Sequence, residues 1–310
     1  MRIFSPAILA SFFAGQALVA QDCPTLCSYD FMRGATIATV QDAIDQGEDI
    51  NSMGEYGDSV FSILLRMNIP DFLQYTYEGD PVAEQARLDG LIWFFLASGV
   101  DLDAPDYEGI SYLNLAAQNA SLPVVRHLVA NGASALAVNA DQENALHYAT
   151  VSGNIETMDW LIQAGNDIDG AYEEEETPLH LAAAFVSVQP AATTIWLIEN
   201  GANVNAQAGT FRTTPMMDFL FWGAEKRVAD SPVVMRAALD TGYDITLANH
   251  VGNNILHYAA WVGRSSELIQ LLIDHGADIS VQNSEGYTAY DLALENNFLS
   301  KTPILEALKP

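Results

Sequence analysis

Apolar residues recur along this chain at helical spacing, in short runs. Val125, Leu128 and Val129 lie three and four residues apart, as do Leu268, Leu271 and Leu272, so each set falls on one face of a helix. The helical runs end at glycines: Gly47, Gly99, Gly132, Gly165, Gly201, Gly242 and Gly276, with gaps of 52, 33, 33, 36, 41 and 34 residues. A second landmark recurs inside each interval at Ser62, Asn114, His147, His180, Met217, His257 and Asp291. From each glycine to the next landmark is 15 residues, except 16 from Gly201 to Met217. From landmark to closing glycine the distance varies between 18 and 37. Nearly all irregularity therefore lies after the first helix of a unit, where a surface turn absorbs extra residues at small entropic cost. The pattern predicts stacked helix–turn–helix units joined by connections of almost constant length.

The most complete unit runs from Thr177 to Asn205. It opens Thr177-Pro178-Leu179-His180-Leu181-Ala182-Ala183 and closes Gly201-Ala202-Asn203-Val204-Asn205. Thr177 suits a helix N-cap and Pro178 the first helical position. Ala182 and Ala183 are small enough for close helix approach. Gly201 suits the left-handed residue that ends a second helix. This stretch resembles one ankyrin repeat, a family whose undisturbed unit has 33 residues. The resemblance covers nearly all of residues 28–310. It implies an all-α ankyrin-repeat solenoid, with finger-like hairpins between units, in which each unit buries its apolar face only against its neighbours.

Seven to eight units follow, terminal ones included. Residues 28–50 form the opening unit, with a second helix from Ile37 to Ile44. Residues 51–103 have a first helix near Ser59 to Arg66, a 19-residue excess around Met67 to Glu84, and a second helix from Leu88 to Leu96. Residues 104–136 and 137–169 are regular. Residues 170–205 carry an enlarged turn at Ser187 to Ala192. Residues 206–246 are degenerate, with Phe219-Leu220 where two alanines are expected. Residues 247–280 are regular, and 281–310 close the array at Ile304 to Leu308, where Leu305 and Leu308 need cover.

The formal net charge of −28 changes the functional picture most. It disfavours nucleic acid and anionic membrane surfaces, both of which select Lys and Arg. A basic protein partner fits it. The first 20 residues read as a signal peptide: Arg2, an apolar core from Ile3 to Phe13, and a small-residue exit from Ala14 to Ala20, with cleavage after Ala17 or Ala20. The expected location is periplasmic or extracellular, with no membrane insertion after cleavage and a monomeric chain. The two cysteines, Cys23 and Cys27, follow at once, in a short segment of residues 21–27. An oxidising compartment would join them in a disulfide.

No catalytic chemistry is legible. Nucleophile-elbow, phosphate-loop and dinucleotide motifs are missing, as is any metal-ligand spacing. No enzyme activity, metal or cofactor is expected. His147, His180 and His257 share one repeat position, and the family resemblance implies structural hydrogen bonds there. The insertion at Met67 to Glu84 offers Asp71, Glu78, Asp80 and Glu84 as a remote enzymatic alternative.

Two patterns point to binding. The first four full fingers hold 16 acidic residues and no Lys or Arg, among them Asp106, Glu108, Glu173, Glu174, Glu175 and Glu176. Part of this acidity belongs to the turn motif. The run Glu173 to Glu176 lacks the alternating ligand spacing of a calcium loop. The second pattern lies four and five residues past each landmark, where the resemblance places the concave groove. These positions read Gln118-Asn119, Val151-Ser152, Ala184-Phe185, Phe221-Trp222 and Trp261-Val262, a stripe that turns aromatic. Phe185, Phe221, Trp222 and Trp261 are candidate anchors if exposed, and the alternative is burial by the enlarged turns. The expected function is protein–protein recognition, with an immunity or inhibitor protein for a basic secreted toxin or enzyme as the alternative.

Overall fold

The computed structural model describes residues 25–54, 57–67, 80–102, 109–184, 190–223 and 230–310. It divides into two compact units, Met1–Ala140 and Asp141–Pro310. The leader, Cys23, Asp71, Glu78, Asp106, Glu108 and Phe185 lie outside the described residues. Cys27 is disulfide-bonded.

The first unit holds α1 (Tyr29–Gly34), α2 (Ile37–Asp45), α3 (Val60–Met67), α4 (Pro81–Ala97), α5 (Tyr112–Asn119) and α6 (Leu122–Ala130). The second holds α7 (Ala145–Ser152), α8 (Ile155–Gln163), α9 (Pro178–Ala184), α10 (Pro190–Glu199), α11 (Pro215–Gly223), α12 (Ser231–Asp240), α13 (Ile255–Trp261), α14 (Ser266–Asp274), α15 (Ala289–Glu295) and α16 (Ile304–Ala307). Among the described residues the only β pairing is three isolated bridges, Met53 with Ser59, Ala208 with Thr213 and Ala248 with Asn254. Each ties the foot of a finger. All seven closing glycines have positive φ, between 83° and 109°, a region costly for any residue with a Cβ.

Two sequence expectations need correction. The excess at Met67 to Glu84 is not all loop, because α4 starts at Pro81 rather than Leu88. Asp80 caps it by accepting from the Val82 amide at 3.0 Å. Likewise α10 starts at Pro190, inside the stretch expected as an enlarged turn. Both starts restore helix where local capping and proline chemistry favour it.

Asp80 and Glu84 therefore have structural roles. Glu84 is buried and pairs with the Arg87 guanidinium, whose Nε lies 2.8 Å from Glu84 Oε2. The same guanidinium donates to the carbonyls of Met32 and Ala35, closing the junction of α1 and α2. A paired, hydrogen-bonded charge of this kind is a lock on the chain's entry.

The core of the first unit includes Phe61, Leu64, Leu91, Phe95 and Tyr112, and that of the second Leu161, Leu181, Leu197, Met217, Phe219, Leu256 and Leu272. Phe219 and Leu220 are buried where alanines were expected, so the degenerate unit keeps its register with larger side chains. At the end, Ile304 and Leu308 are buried and Leu305 is half-covered, which closes the array.

Candidate functional site

The three landmark histidines are built into helix starts. In α7, the Asn144 amide donates to His147 Nδ1 at 3.1 Å, and His147 Nε2 lies 2.8 Å from the Gly170 carbonyl in the next finger. In α9, the Thr177 amide donates to His180 Nδ1 at 3.3 Å, and Nε2 reaches the Thr213 carbonyl. In α13, Asn254 and Tyr287 play these parts for His257. Each imidazole bridges its own helix cap to the following finger. Burial lowers all three pKa values. No group of acidic, Cys and His residues that could hold a metal occurs among the described residues.

The acidic fingers prove to be partly occupied by the fold. Glu48 accepts from the Leu26 amide, and Glu143 is buried and accepts from the Tyr148 hydroxyl. Asp169 accepts from the Asn203 amide of the next finger. Glu174 has positive φ, and its carboxylate accepts from the Thr210 amide and hydroxyl at 3.1 and 3.2 Å. Glu176 accepts from the Tyr172 hydroxyl, and burial raises its pKa. Only Glu173 and Glu175 of this run are exposed with no bond to a neighbouring finger shown. Within the run, Glu174 alone staples its finger to the next one, and Glu176 braces its own finger through Tyr172.

The described aromatic members of the stripe are exposed, and they are assembled. Phe221, Trp222 and Trp261 are 36, 41 and 46 % exposed, more than a packed core side chain would be. Phe221 stands 5.0 Å from Trp222 and 5.7 Å from Trp261, ring centre to ring centre. Tyr258, which the stripe positions did not include, completes the cluster at 6.5 Å from Phe221 and 6.2 Å from Trp261. These spacings fall in the range of attractive edge-to-face pairs. Helix α11 supplies two rings and α13 the other two.

Beyond Trp261 the surface continues into an open recess of about 580 Å³, lined by Trp261, Val262, Arg264, Glu295, Asn296, Asn297 and Phe298. Asn296 shapes its floor. Its amide donates to the carbonyls of Ala260, Trp261 and Gly263 at 3.1, 3.1 and 2.8 Å, and its oxygen accepts from the Phe298 amide. The chain turns so tightly here that a Cβ on Gly263 would sit 2.2 Å from the Ala259 carbonyl. Asn296→Ala is expected to cost about 1–3 kcal/mol by orphaning helix-end carbonyls. A urea midpoint unchanged from wild type would contradict this role.

Asp218 of α11 is the residue that the stripe left out. The position after the landmark is Ile63, Leu115, Tyr148, Leu181, Tyr258 and Leu292 in the other units, and only here is it a carboxylate. Asp218 keeps some solvent contact, yet the protein packed around it desolvates the carboxyl and pushes its pKa up to about 8, with a smaller contribution from Glu176. A hydrogen bond from the Thr213 side chain opposes the shift. Its place in sequence, an acid where the other units carry aliphatic or tyrosine side chains, was a legible signal.

Family models described as ankyrin repeats match residues 83–171, 113–208 and 247–293. The chain belongs to the ankyrin-repeat family. Among curated relatives, the putative palmitoyltransferase ZDHHC13 of Danio rerio is 26 % identical over 63 % of this chain and 29 % of its own length. The human B-cell lymphoma 3 protein is 31 % identical over 57 % of this chain and 38 % of its own. The chain thus spans less than half the length of these curated relatives. Among solved structures, a chain from the complex of a predatory endopeptidase of Bdellovibrio bacteriovorus with an immunity protein is similar, with TM-score 0.52 and 27 % identity over 64 % of this chain and 97 % of that one. Among the described residues no helix is long and apolar enough to cross a membrane.

Proposed function

We propose that this ankyrin-repeat protein is an exported, non-catalytic binding protein that recognises a folded protein partner through the aromatic cluster of its second unit. The observation that carries the proposal is the assembled, exposed set Phe221, Trp222 and Trp261. Clustered aromatic rings held on rigid helices lose little entropy on binding and are typical anchors. The remaining free carboxylates, with Glu173 and Glu175 among them, would steer a basic partner by long-range attraction. Export rests on the leader, and mature protein beginning after Ala17 or Ala20 in a fractionated cell would support it.

The test is capture of the partner from an extract of the source cell's exported proteins. Trp222→Ala combined with Trp261→Ala should abolish capture while unfolding stays cooperative, with only the small loss of stability expected from the severed ring pairs (about 0.5–1.5 kcal/mol each). Undiminished capture by the double variant would sink the proposal. Steering predicts an association rate that falls as salt rises from 0.05 to 0.5 M (~fivefold or more, given a screening length near 10 Å at 0.1 M).

A second reading is that the partner is a secreted enzyme or toxin and the protein its inhibitor. The likeness to a chain from an endopeptidase–immunity protein complex favours it. A hydrolase encoded beside this protein's gene, inhibited stoichiometrically by the purified chain, is the outcome it requires.

A further inference from the structure

Resting on the proposed aromatic binding site, we propose that its occupant is an arginine side chain of a basic partner, seated on Phe221, Trp222 and Trp261 with Asp218 as its counter-charge. Asp218 lies three and four residues before Phe221 and Trp222, so on helix α11 it is their neighbour along one face. Tyr258, in the same aromatic cluster, feels its charge. A carboxylate beside a set of exposed aromatic faces is the chemistry that a guanidinium satisfies twice. Its plane stacks on the rings, and its fork of donors meets the carboxylate. Lysine, a compact and strongly hydrated point charge, uses such a site less well.

Two further observations single out a cation. The position of Asp218 is uncharged in every other unit, aliphatic in four and tyrosine in two, so the repeat does not ask for an acid there. The chain as a whole carries a formal charge of −28, which selects basic partners. Among the described residues, the titratable groups around Asp218 are Glu176 before α9, Tyr243 after α12, Tyr258 on α13, and His180 of α9, which bonds to the carbonyl of Thr213 and is neutral from pH 6 to pH 9 because burial lowers its pKa to about 4. None of them is a cation, so the carboxylate lacks a counter-charge from these neighbours. An arriving guanidinium supplies one. Binding should therefore draw the proton from Asp218 into solvent, and affinity should rise with pH toward and through about 8.

The experiment titrates the full chain with a capped Ala-Arg-Ala-Arg-Ala peptide, followed by tryptophan fluorescence, from pH 6 to pH 9. A matched peptide with citrulline in place of arginine keeps the shape and removes the charge. Wild type is expected to bind the arginine peptide at least tenfold more tightly than the citrulline peptide at pH 8.5, with affinity growing as pH rises. Asp218→Asn should bind about tenfold more weakly at pH 8.5 and lose most of the pH dependence. Asp240→Asn removes a carboxylate on the exposed end of α12 and should behave as wild type, which separates a local pairing from general attraction to an acidic protein. No binding of the arginine peptide, equal binding of the citrulline peptide, or an Asp218→Asn curve that overlays wild type would each overturn the assignment. If Trp222→Ala with Trp261→Ala abolishes partner capture while Asp218→Asn does not weaken peptide binding, the aromatic site stands and only the arginine falls. If neither capture nor peptide binding responds to the tryptophans, the site itself falls.

Discussion

Acidification from pH 7 to pH 4 is expected to remove roughly 3 kcal/mol of stability through His180 alone. His180 is almost fully buried, and its ordinary value of 6.5 is lowered to about 4 chiefly by desolvation. The hydrogen bonds fit the neutral ring. Nδ1 accepts from the Thr177 amide, which leaves Nε2–H to donate to the Thr213 carbonyl. A proton added at Nδ1 would remove the acceptor and leave a buried amide without a partner. Because the folded value lies below the unfolded one, the unfolded chain binds more protons between about pH 6.5 and 4. Stability is therefore full above that window and lost as pH falls through it, by about 1.4 kcal/mol per pH unit. His147 and His257 are lowered in the same direction and add to the loss. Urea unfolding at pH 7, 5.5 and 4 checks the slope. His180→Gln should be weaker at pH 7 but flatter across the window. Equal slopes in the two proteins would show that His180 does not carry the acid sensitivity.

Asp218→Asn should have the opposite signature and stabilise the fold most at alkaline pH. The carboxyl has an ordinary value of 3.8 and is raised to about 8 in the folded chain. The folded protein then binds more protons than the unfolded one, so stability declines as pH rises from about 4 to about 8. The neutral amide escapes that decline. The full gap would give more than 5 kcal/mol, but the side chain keeps solvent contact that screens the charge, so a gain of roughly 3 kcal/mol at pH 8.5 is expected. Near pH 4 the two proteins should have nearly equal stability. Comparing their urea midpoints at pH 4.5 and 8.5 cancels the self-repulsion of the other carboxylates. A constant difference at both pH values would mean that Asp218 titrates normally. The same substitution that strengthens the fold should weaken the arginine peptide, which is the trade expected where a residue is kept for binding.

Much of the fold was legible because a repeat is defined by local chemistry. Thr177 before Pro178, the alanine pair after Leu181, and glycines with positive φ specify one unit without reference to the rest of the chain. The shared place of His147, His180 and His257 likewise marked them as structural, and the hydrogen bonds agree. The helix starts at Pro81 and Pro190 were missed because the insertions were counted as loop, although each start carried its own local signal.

The site was only half legible. Helical spacing put Phe221 and Trp222 on one stripe with Trp261, but spacing within helices is silent about whether a face is covered. Tyr258 belongs to the cluster because α13 packs beside α11, a contact between residues more than thirty positions apart. The acidic run from Glu173 to Glu176 looked like a free surface, yet Glu174 is spent on Thr210 in the next finger. The sequence by itself determined the repeating unit, its periodicity and the excess of negative charge, since these depend on neighbours along the chain. Only the tertiary structure decided which aromatic rings meet in the open, which carboxylates are already bonded, and which one, Asp218, stands desolvated without a cation among its described titrating neighbours. Those properties are set by the faces that consecutive units bring together, and no single unit contains them.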